Sequence, residues 1–160
     1  MKLEGSCHCG AVRFRCESRA PYPFNHCYCS ICRKTGGSGS TCNIHADADS
    51  LEVDGGKHIN VYRAFLDHPE RSRRSTGERR FCNRCGSPLW VWDPDWPELI
   101  HPFAGVIDTP LPVPPERHHI LLAFRPGWVA VPDQAHDRHH DRMPGESLME
   151  WHQRLGLVED

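Results

Sequence analysis

The sequence predicts an all-β domain of small antiparallel β-sheets, closed by one short helix at the C-terminal end. Three observations predict it. Apolar and polar residues alternate in short runs, as half-buried strands do. Glycine and proline, 13 and 14 in 160 residues, break those runs at turn-like intervals. Only near the C-terminus do a helix cap and helical spacing coincide.

Residues 11–16, Ala-Val-Arg-Phe-Arg-Cys, alternate as a strand with one buried face. Residues 40–44 carry a weaker strand pattern. Residues 51–56 read as a strand running into a Gly-Gly turn, and 58–65 as another strand. Leu89-Trp90-Val91-Trp92 is a short apolar strand ended by Asp93-Pro94. Residues 103–107 and 120–124 add two more. Ser30 caps a short turn through Lys34, which Gly36 and Gly37 stop. Ser147, with Glu150 three residues later, forms a capping box, and Leu148, Trp151 and Leu155 follow at helical spacing. Residues 70–80, polar and rich in arginine, read as a loop or hairpin tip. Residues 108–115 hold four prolines and read as an extended connection. The domain is expected at residues 1–135, with 136–160 a C-terminal tail whose helix packs on it.

Hydrophobic residues make up 38% of the chain, and the mean hydropathy is −0.60. That leaves a thin core for this length, and a fold of this kind gains from covalent or metal staples. The net charge of −2 predicts no bulk attraction to nucleic acid or to an anionic membrane. No apolar run reaches the roughly 18–20 residues that span a bilayer. The N-terminal Met-Lys-Leu-Glu-Gly-Ser-Cys-His-Cys-Gly has no apolar leader, so a cytoplasmic location is expected. The nine cysteines are odd in number, which argues against a disulfide framework. In a reducing compartment they are better read as metal ligands.

Seven of the nine fall in three clusters: Cys7-His8-Cys9-Gly10, Cys27-Tyr28-Cys29-Ser30-Ile31-Cys32 and Cys82-Asn83-Arg84-Cys85-Gly86. Residues i and i+2 of a strand share a face, which aims Cys7 and Cys9 at one point. Cys82-x-x-Cys85-Gly86 has the form of a zinc knuckle, and its glycine permits the positive φ of a tight turn. Joining the first and third clusters gives a four-sulfur site, Cys7, Cys9, Cys82 and Cys85, that closes a loop of about seventy residues. Cys27, Cys29 and Cys32 make a second site one ligand short. Water, a substrate sulfur or His26 can stand in the fourth position; His26 or Cys42 would close the site and make it structural. Open, it would hold a zinc that acts as a Lewis acid. Two zinc ions per chain are expected. Arg33, Lys34 and the Gly/Ser run at residues 36–40 follow the trio.

These clusters and their neighbours resemble the glutathione-dependent formaldehyde-activating enzyme family, which includes centromere protein V. The matching stretches are Gly5-Ser6-Cys7-His8-Cys9-Gly10-Ala11-Val12, the segment from Cys27 to Arg33 with Gly37, and Phe81-Cys82-Asn83-Arg84-Cys85-Gly86. Weaker support comes from Gly105-Val106-Ile107-Asp108, from His118 or His119, and from Trp128. The resemblance spans about residues 3–135. It implies a zinc-stapled complex of β-sheets, structural zinc on Cys7, Cys9, Cys82 and Cys85, and catalytic zinc on Cys27, Cys29 and Cys32. The implied activity is that of a carbon–sulfur lyase adding glutathione to formaldehyde, or acting on a related thiol–aldehyde adduct. The implied partners are therefore a small thiol such as glutathione and an aldehyde. Arg33, Lys34, Arg73, Arg74, Arg79 and Arg80 are candidates for the carboxylates of such a thiol. One departure from the family lies near residues 66–74, which look inserted. The competing expectation is a non-catalytic zinc module that binds protein or nucleic acid.

Several further residues carry expectations. Cys16 sits in a strand pattern as a small buried hydrophobe. Trp90, Trp92 and Trp96 are expected in packing. His136, His139 and His140 lie in a stretch that reads as a polar surface loop. His8 and Tyr28, lodged inside the cysteine clusters, are either neighbours of the metal or simply exposed.

Overall fold

The computed structural model describes residues 1–66 and 73–158. In chain order the elements are β1 (Lys2–Ser6), β2 (Arg13–Glu17), β3 (Asn25–Cys27), α1 (Ser30–Gly36), β4 (Thr41–Cys42), β5 (Ala46–Asp47), β6 (Glu52–Asp54), β7 (Ile59–Phe65), β8 (Arg74–Cys82), β9 (Pro88–Trp92), β10 (Leu99–Pro102), β11 (Arg117–Ile120), β12 (Asp137–His139) and α2 (Leu148–Arg154). The strands form three sheets, ordered β1-β2-β6, β5-β10-β9-β8-β7 and β12-β11-β3-β4. The architecture is dominated by β-sheet, with two short helices.

The first two sheets are antiparallel. The third is mixed: β3 and β4 are antiparallel, whereas β11 runs parallel to both β3 and β12. This corrects the expectation of antiparallel sheets throughout. Parallel neighbours need a long crossover, and here the chain traverses the whole second sheet between β3 and β11.

Alternation in sequence becomes alternation in burial. Leu3, Phe14 and Cys16 face inward from β1 and β2, where Leu3 pairs with Cys16. They join Val12, Ile44, Leu89, Trp90 and Ile100 in one core, with the Phe14 and Trp90 rings edge to face at 5.2 Å. Cys16 lies in that core, and burial pushes its thiol up to about 11.

Residues 74–80, expected in a loop, belong instead to the long strand β8, paired with β7 from Ile59↔Cys82 to Phe65↔Arg74. Glu78 is paired both across and along the strands: Arg63 of β7 reaches it at 2.7 Å, and Arg80, on β8 itself, at 2.5 Å. The suspected insertion at 66–74 falls mostly on residues 67–72, outside the described residues.

The expected strand at 103–107 is a 3₁₀ turn, Ala104–Val106, flanked by single bridges to Asn43 and Gly5. The expected strand at 120–124 ends at Ile120; Leu121 then takes a φ of 60° into a second 3₁₀ turn, Leu122–Phe124. Helix α1 runs two residues past Lys34, and its cap is Cys29 rather than Ser30.

Helix α2 has the capping box that Ser147 and Glu150 announce. Its Trp151 is fully buried and stacks on Phe24 at 4.2 Å, with the rings 6° from coplanar. The indole Nε1 donates to Glu116 at 3.1 Å. His118, Arg138 and Arg154 converge on the same carboxylate at 3.0, 3.2 and 2.8 Å. Burial opposes ionisation of Glu116, but Arg154, His118, Arg138 and Trp151 hold it down to about 2. The stretch read as a His-rich surface loop contributes β12, where His139 stacks on His119 at 5.1 Å. Among the described residues no helix is long and apolar enough to cross a membrane.

Candidate metal centres

Two groups of sulfurs gather without any disulfide; all nine cysteines are free thiols. Cys7 and Cys9 follow β1, and Cys82 ends β8. The Cys7–Cys9 and Cys9–Cys82 sulfurs are 3.6 and 3.8 Å apart, and all four of Cys7, Cys9, Cys82 and Cys85 lie within 4.8 Å of one another. Four thiolates at about 2.3 Å from one zinc have sulfurs about 3.8 Å apart, so this donor set fits that ion.

The local folding that collects them is a pair of matching turns. Gly10 N–H bonds the Cys7 carbonyl and Gly86 N–H bonds the Cys82 carbonyl, each at 2.9 Å. The φ values of +71° at Gly10 and +77° at Gly86 are open to glycine and strained for other residues. The N–H of Val12 donates to Cys7 Sγ at 3.3 Å. Ser87 locks the turns together, since its hydroxyl accepts from His8 N–H at 3.1 Å and lies 3.2 Å from Cys85 Sγ. The Ser87 hydroxyl, then the backbone N–H groups of Ser87 and Cys9, hold the Cys85 thiol down to about 5. Ser87 was not singled out from the sequence; its position two residues past the second knuckle cysteine is the signal that could have found it. The His8 side chain is exposed.

The second group sits at the corner between β3 and α1. Cys27 ends β3, Cys29 caps α1, and Cys32 lies in the first turn. Their three sulfurs lie within 4.8 Å of one another, and among the described residues no fourth His, Cys, Asp or Glu completes the group. His26 points away, stacked on His119 at 5.3 Å, and burial lowers its imidazole to about 4. Cys42 pairs with His26 on β4, and burial pushes its thiol up to about 12. The Cys32 N–H donates to Cys29 Sγ at 3.3 Å. The Cys27 and Cys29 thiols, and then Arg79, favour the charged form of Cys32, while Cys27 is driven the other way by its two sulfur neighbours. A cluster in which one sulfur is readily anionic and its neighbours resist ionisation alone is one that a cation relieves.

Two residues flank this corner. Arg79, on β8, brings its Nη2 to 3.7 Å from Cys32 Sγ. On the other side Tyr28, between Cys27 and Cys29, is buried, and its hydroxyl lies 3.0 Å from Nδ1 of the buried His119. The Nε2 of His119 is 3.5 Å from the Asp137 carboxylate. Burial keeps His119 neutral against the pull of Asp137. A neutral ring with its proton on the Asp137 side presents Nδ1 as an acceptor, so the tyrosine donates. Sequence reasoning had His119 and Tyr28 in view without linking them, because β11 and β3 meet only in the folded chain.

Of the other basic candidates, Arg80 is taken by Glu78, and Arg74 lies over the Phe65 ring at 4.4 Å. Lys34 is exposed, and Arg33 is part-buried in the last turn of α1. Arg73 is exposed just before β8. Trp90 is buried, Trp92 packs on the core, and Trp96 and Trp128 are exposed. A cavity of about 360 Å³ is lined by Gly36, Ser40, Thr41, Cys42, Ser87 and Phe103; it touches the strand partner of Cys27, Thr41, and the neighbour of Cys85, Ser87, but none of the seven clustered cysteines lines it. A larger cavity of about 480 Å³, at Leu51, Ile59, Trp90 and Trp92, contains none of the cysteines.

A sheet-dominated scaffold that folds two separate cysteine groups into metal-ligand geometry defines the class: a β protein with two cysteine sites able to hold metal ions. The profile of one family, the glutathione-dependent formaldehyde-activating enzymes, matches residues 2–122. A Halomonas elongata protein, named as a candidate glutathione-dependent formaldehyde-activating enzyme, is 57% identical over 160 residues, covering 99% of both chains. A crystal structure of a Rhodobacter sphaeroides protein superposes with a TM-score of 0.52 at 26% identity, covering 70% of this chain and 92% of that one. The chain belongs to the glutathione-dependent formaldehyde-activating enzyme family.

Proposed function

We propose that this protein is a zinc-dependent carbon–sulfur lyase that joins glutathione, or a closely related thiol, to formaldehyde. One observation carries the reading: the Cys27, Cys29 and Cys32 sulfurs converge without a fourth side-chain ligand among the described residues, in a chain of this family. We assign a structural zinc to Cys7, Cys9, Cys82 and Cys85, and a catalytic zinc to Cys27, Cys29 and Cys32. Zinc in an open thiolate site supplies Lewis acidity that favours a bound thiol in its anionic form.

The reaction forms one carbon–sulfur bond. The glutathione sulfur adds to the carbonyl carbon of formaldehyde, the carbonyl π pair passes to oxygen, and the thiol proton ends on that oxygen as S-(hydroxymethyl)glutathione. The chain's own residues position the partners. The capped corner of α1 presents the three sulfurs, the Tyr28–His119 bond holds that corner from behind, and Arg79 adds a positive charge beside Cys32. The 360 Å³ cavity is lined by Thr41, the strand partner of Cys27, and carries the Ser40 and Ser87 residues that can meet a polar ligand.

The test is exchange spectroscopy by NMR on zinc-loaded protein with glutathione and ¹³C-formaldehyde, which reads interconversion of free aldehyde and adduct above the spontaneous rate. Wild-type protein accelerates that exchange, and the Cys29→Ser variant does not. An unchanged exchange rate with wild-type protein, or full activity and both metal equivalents in Cys29→Ser, refutes the assignment.

A further inference from the structure

We infer that Arg79 supplies the counter-charge that lets the Cys27–Cys29–Cys32 site accept an anionic sulfur as its fourth ligand, so that the residue selects for the thiolate of the substrate rather than for its carboxylates. The inference rests on the function proposed above and names what one residue does within it.

The basis is how the cations near the site are used. The other arginines of β7 and β8 have partners elsewhere: Arg63 and Arg80 share the Glu78 carboxylate at 2.7 and 2.5 Å, and Arg74 covers the Phe65 ring. Arg79 differs. Among the described residues no carboxylate lies within ion-pair distance of it. Its polar partners are the Thr35 hydroxyl, 3.5 Å from Nη1, and the Cys32 sulfur, 3.7 Å from Nη2. Thr35 is itself held by a 2.8 Å bond to the Ile31 carbonyl, within the same helix as Cys32. The guanidinium therefore lies against α1 from β8, and of these two partners only the Cys32 sulfur can carry negative charge. A part-buried cation placed so is a device for charge balance.

The arithmetic of charge says what is balanced. Three thiolates around one divalent cation sum to −1. A fourth thiolate takes the sum to −2, and such an accumulation is costly away from bulk water. With Arg79 counted, the sum returns to −1. A neutral fourth ligand, such as water, gains no such benefit, so the arginine favours an anionic sulfur over a neutral occupant. A cation about 4–6 Å from an anion favours the charged form by at least tenfold in a partly screened site.

The test separates this role from carboxylate recognition. S-methylglutathione keeps both carboxylates of glutathione but has no ionisable thiol. Binding of each compound is measured by calorimetric titration of the metal-loaded wild type, Arg79→Gln and Arg79→Lys, with cobalt in place of zinc in a parallel series. Wild-type protein binds glutathione more tightly than its S-methyl form, and glutathione intensifies the sulfur-to-cobalt charge-transfer band. Arg79→Gln weakens glutathione binding about tenfold or more and suppresses the band increase, leaves S-methylglutathione unchanged, and keeps both metal equivalents. Arg79→Lys recovers most of the loss. Equal weakening of both compounds assigns Arg79 to a carboxylate and overturns the inference; so does an Arg79→Gln variant that discriminates as the wild type does, or one that loses metal from the trio. A wild type that does not distinguish the two compounds overturns the proposed function together with this inference, whereas the other three failures leave the proposed function standing.

Discussion

Replacing Tyr28 by phenylalanine removes one oxygen from behind the three-cysteine corner. Tyr28 and His119 are 3% and 1% exposed, so no bulk water reaches His119 Nδ1 once the 3.0 Å bond is gone. An orphaned buried acceptor costs about 1–3 kcal/mol. Tyr28 stands between Cys27 and Cys29, and its N–H also bonds the Ile120 carbonyl at 3.0 Å, so the strain falls on the segment that carries the sulfurs. A share of about 1.4 kcal/mol released when that corner opens lowers the metal affinity of the trio about tenfold. The four-sulfur site, built from other elements, keeps its affinity. The assay is competition with a chromophoric chelator, which resolves release from the two sites, run beside a thermal melt. His119→Asn, whose side-chain oxygen can replace the Nδ1 acceptor, retains more affinity at the trio than His119→Leu. Equal loss at both sites, or a lowered melting temperature with trio affinity unchanged, would falsify the idea that this bond positions the corner.

Two other outcomes follow from the packing of the C-terminal segment. Glu116 has a folded pKa near 2 against an ordinary 4.5, so it stabilises the fold above about pH 4.5, and that contribution is lost as pH falls toward 2. Glu116→Gln is therefore less stable by up to about 3 kcal/mol at neutral pH, and the gap to wild type narrows between about pH 4.5 and pH 2 in denaturant titrations; a gap independent of pH in that range contradicts the reasoning. Trp151→Ala empties a fully buried site stacked on Phe24 and removes the indole donor to Glu116, at a cost of about 3–5 kcal/mol in chemical unfolding; a cost under about 1 kcal/mol would show that α2 is not an anchor.

The local signals in the chain were good guides wherever one element decides its own structure. The alternation in residues 11–16 became the inward-facing Phe14 and Cys16 of β2, and the Ser147 and Glu150 pair became a complete capping box. Local signals misled where a partner decides. The arginine-rich stretch before Cys82 looks like a loop because its strand partners, β7 on one side with Arg63 for Glu78 and β9 on the other, lie alongside only in the folded chain. Residues 103–107 have strand composition, yet their neighbours meet them at only two isolated bridges, and the chain turns between. The stretch from His136 to His140 is polar enough for a loop, but β11 recruits its middle into a parallel pairing.

The cysteine spacing alone marked seven residues as two groups, because tight turns and a shared strand face bring sulfurs together whatever surrounds them. The same local chemistry required the glycines after Cys9 and Cys85 to take positive φ. Which groups stand around the trio was decided only by tertiary structure. Arg79 and Cys32 are 47 residues apart, and Tyr28 and His119 are 91 apart. Their meetings depend on the crossover that lays β11 beside β3 and on the strand β8 that passes α1. Hydrogen bonds and charge pairs act over a few ångströms of space and leave no mark in the spacing of residues so distant along the chain.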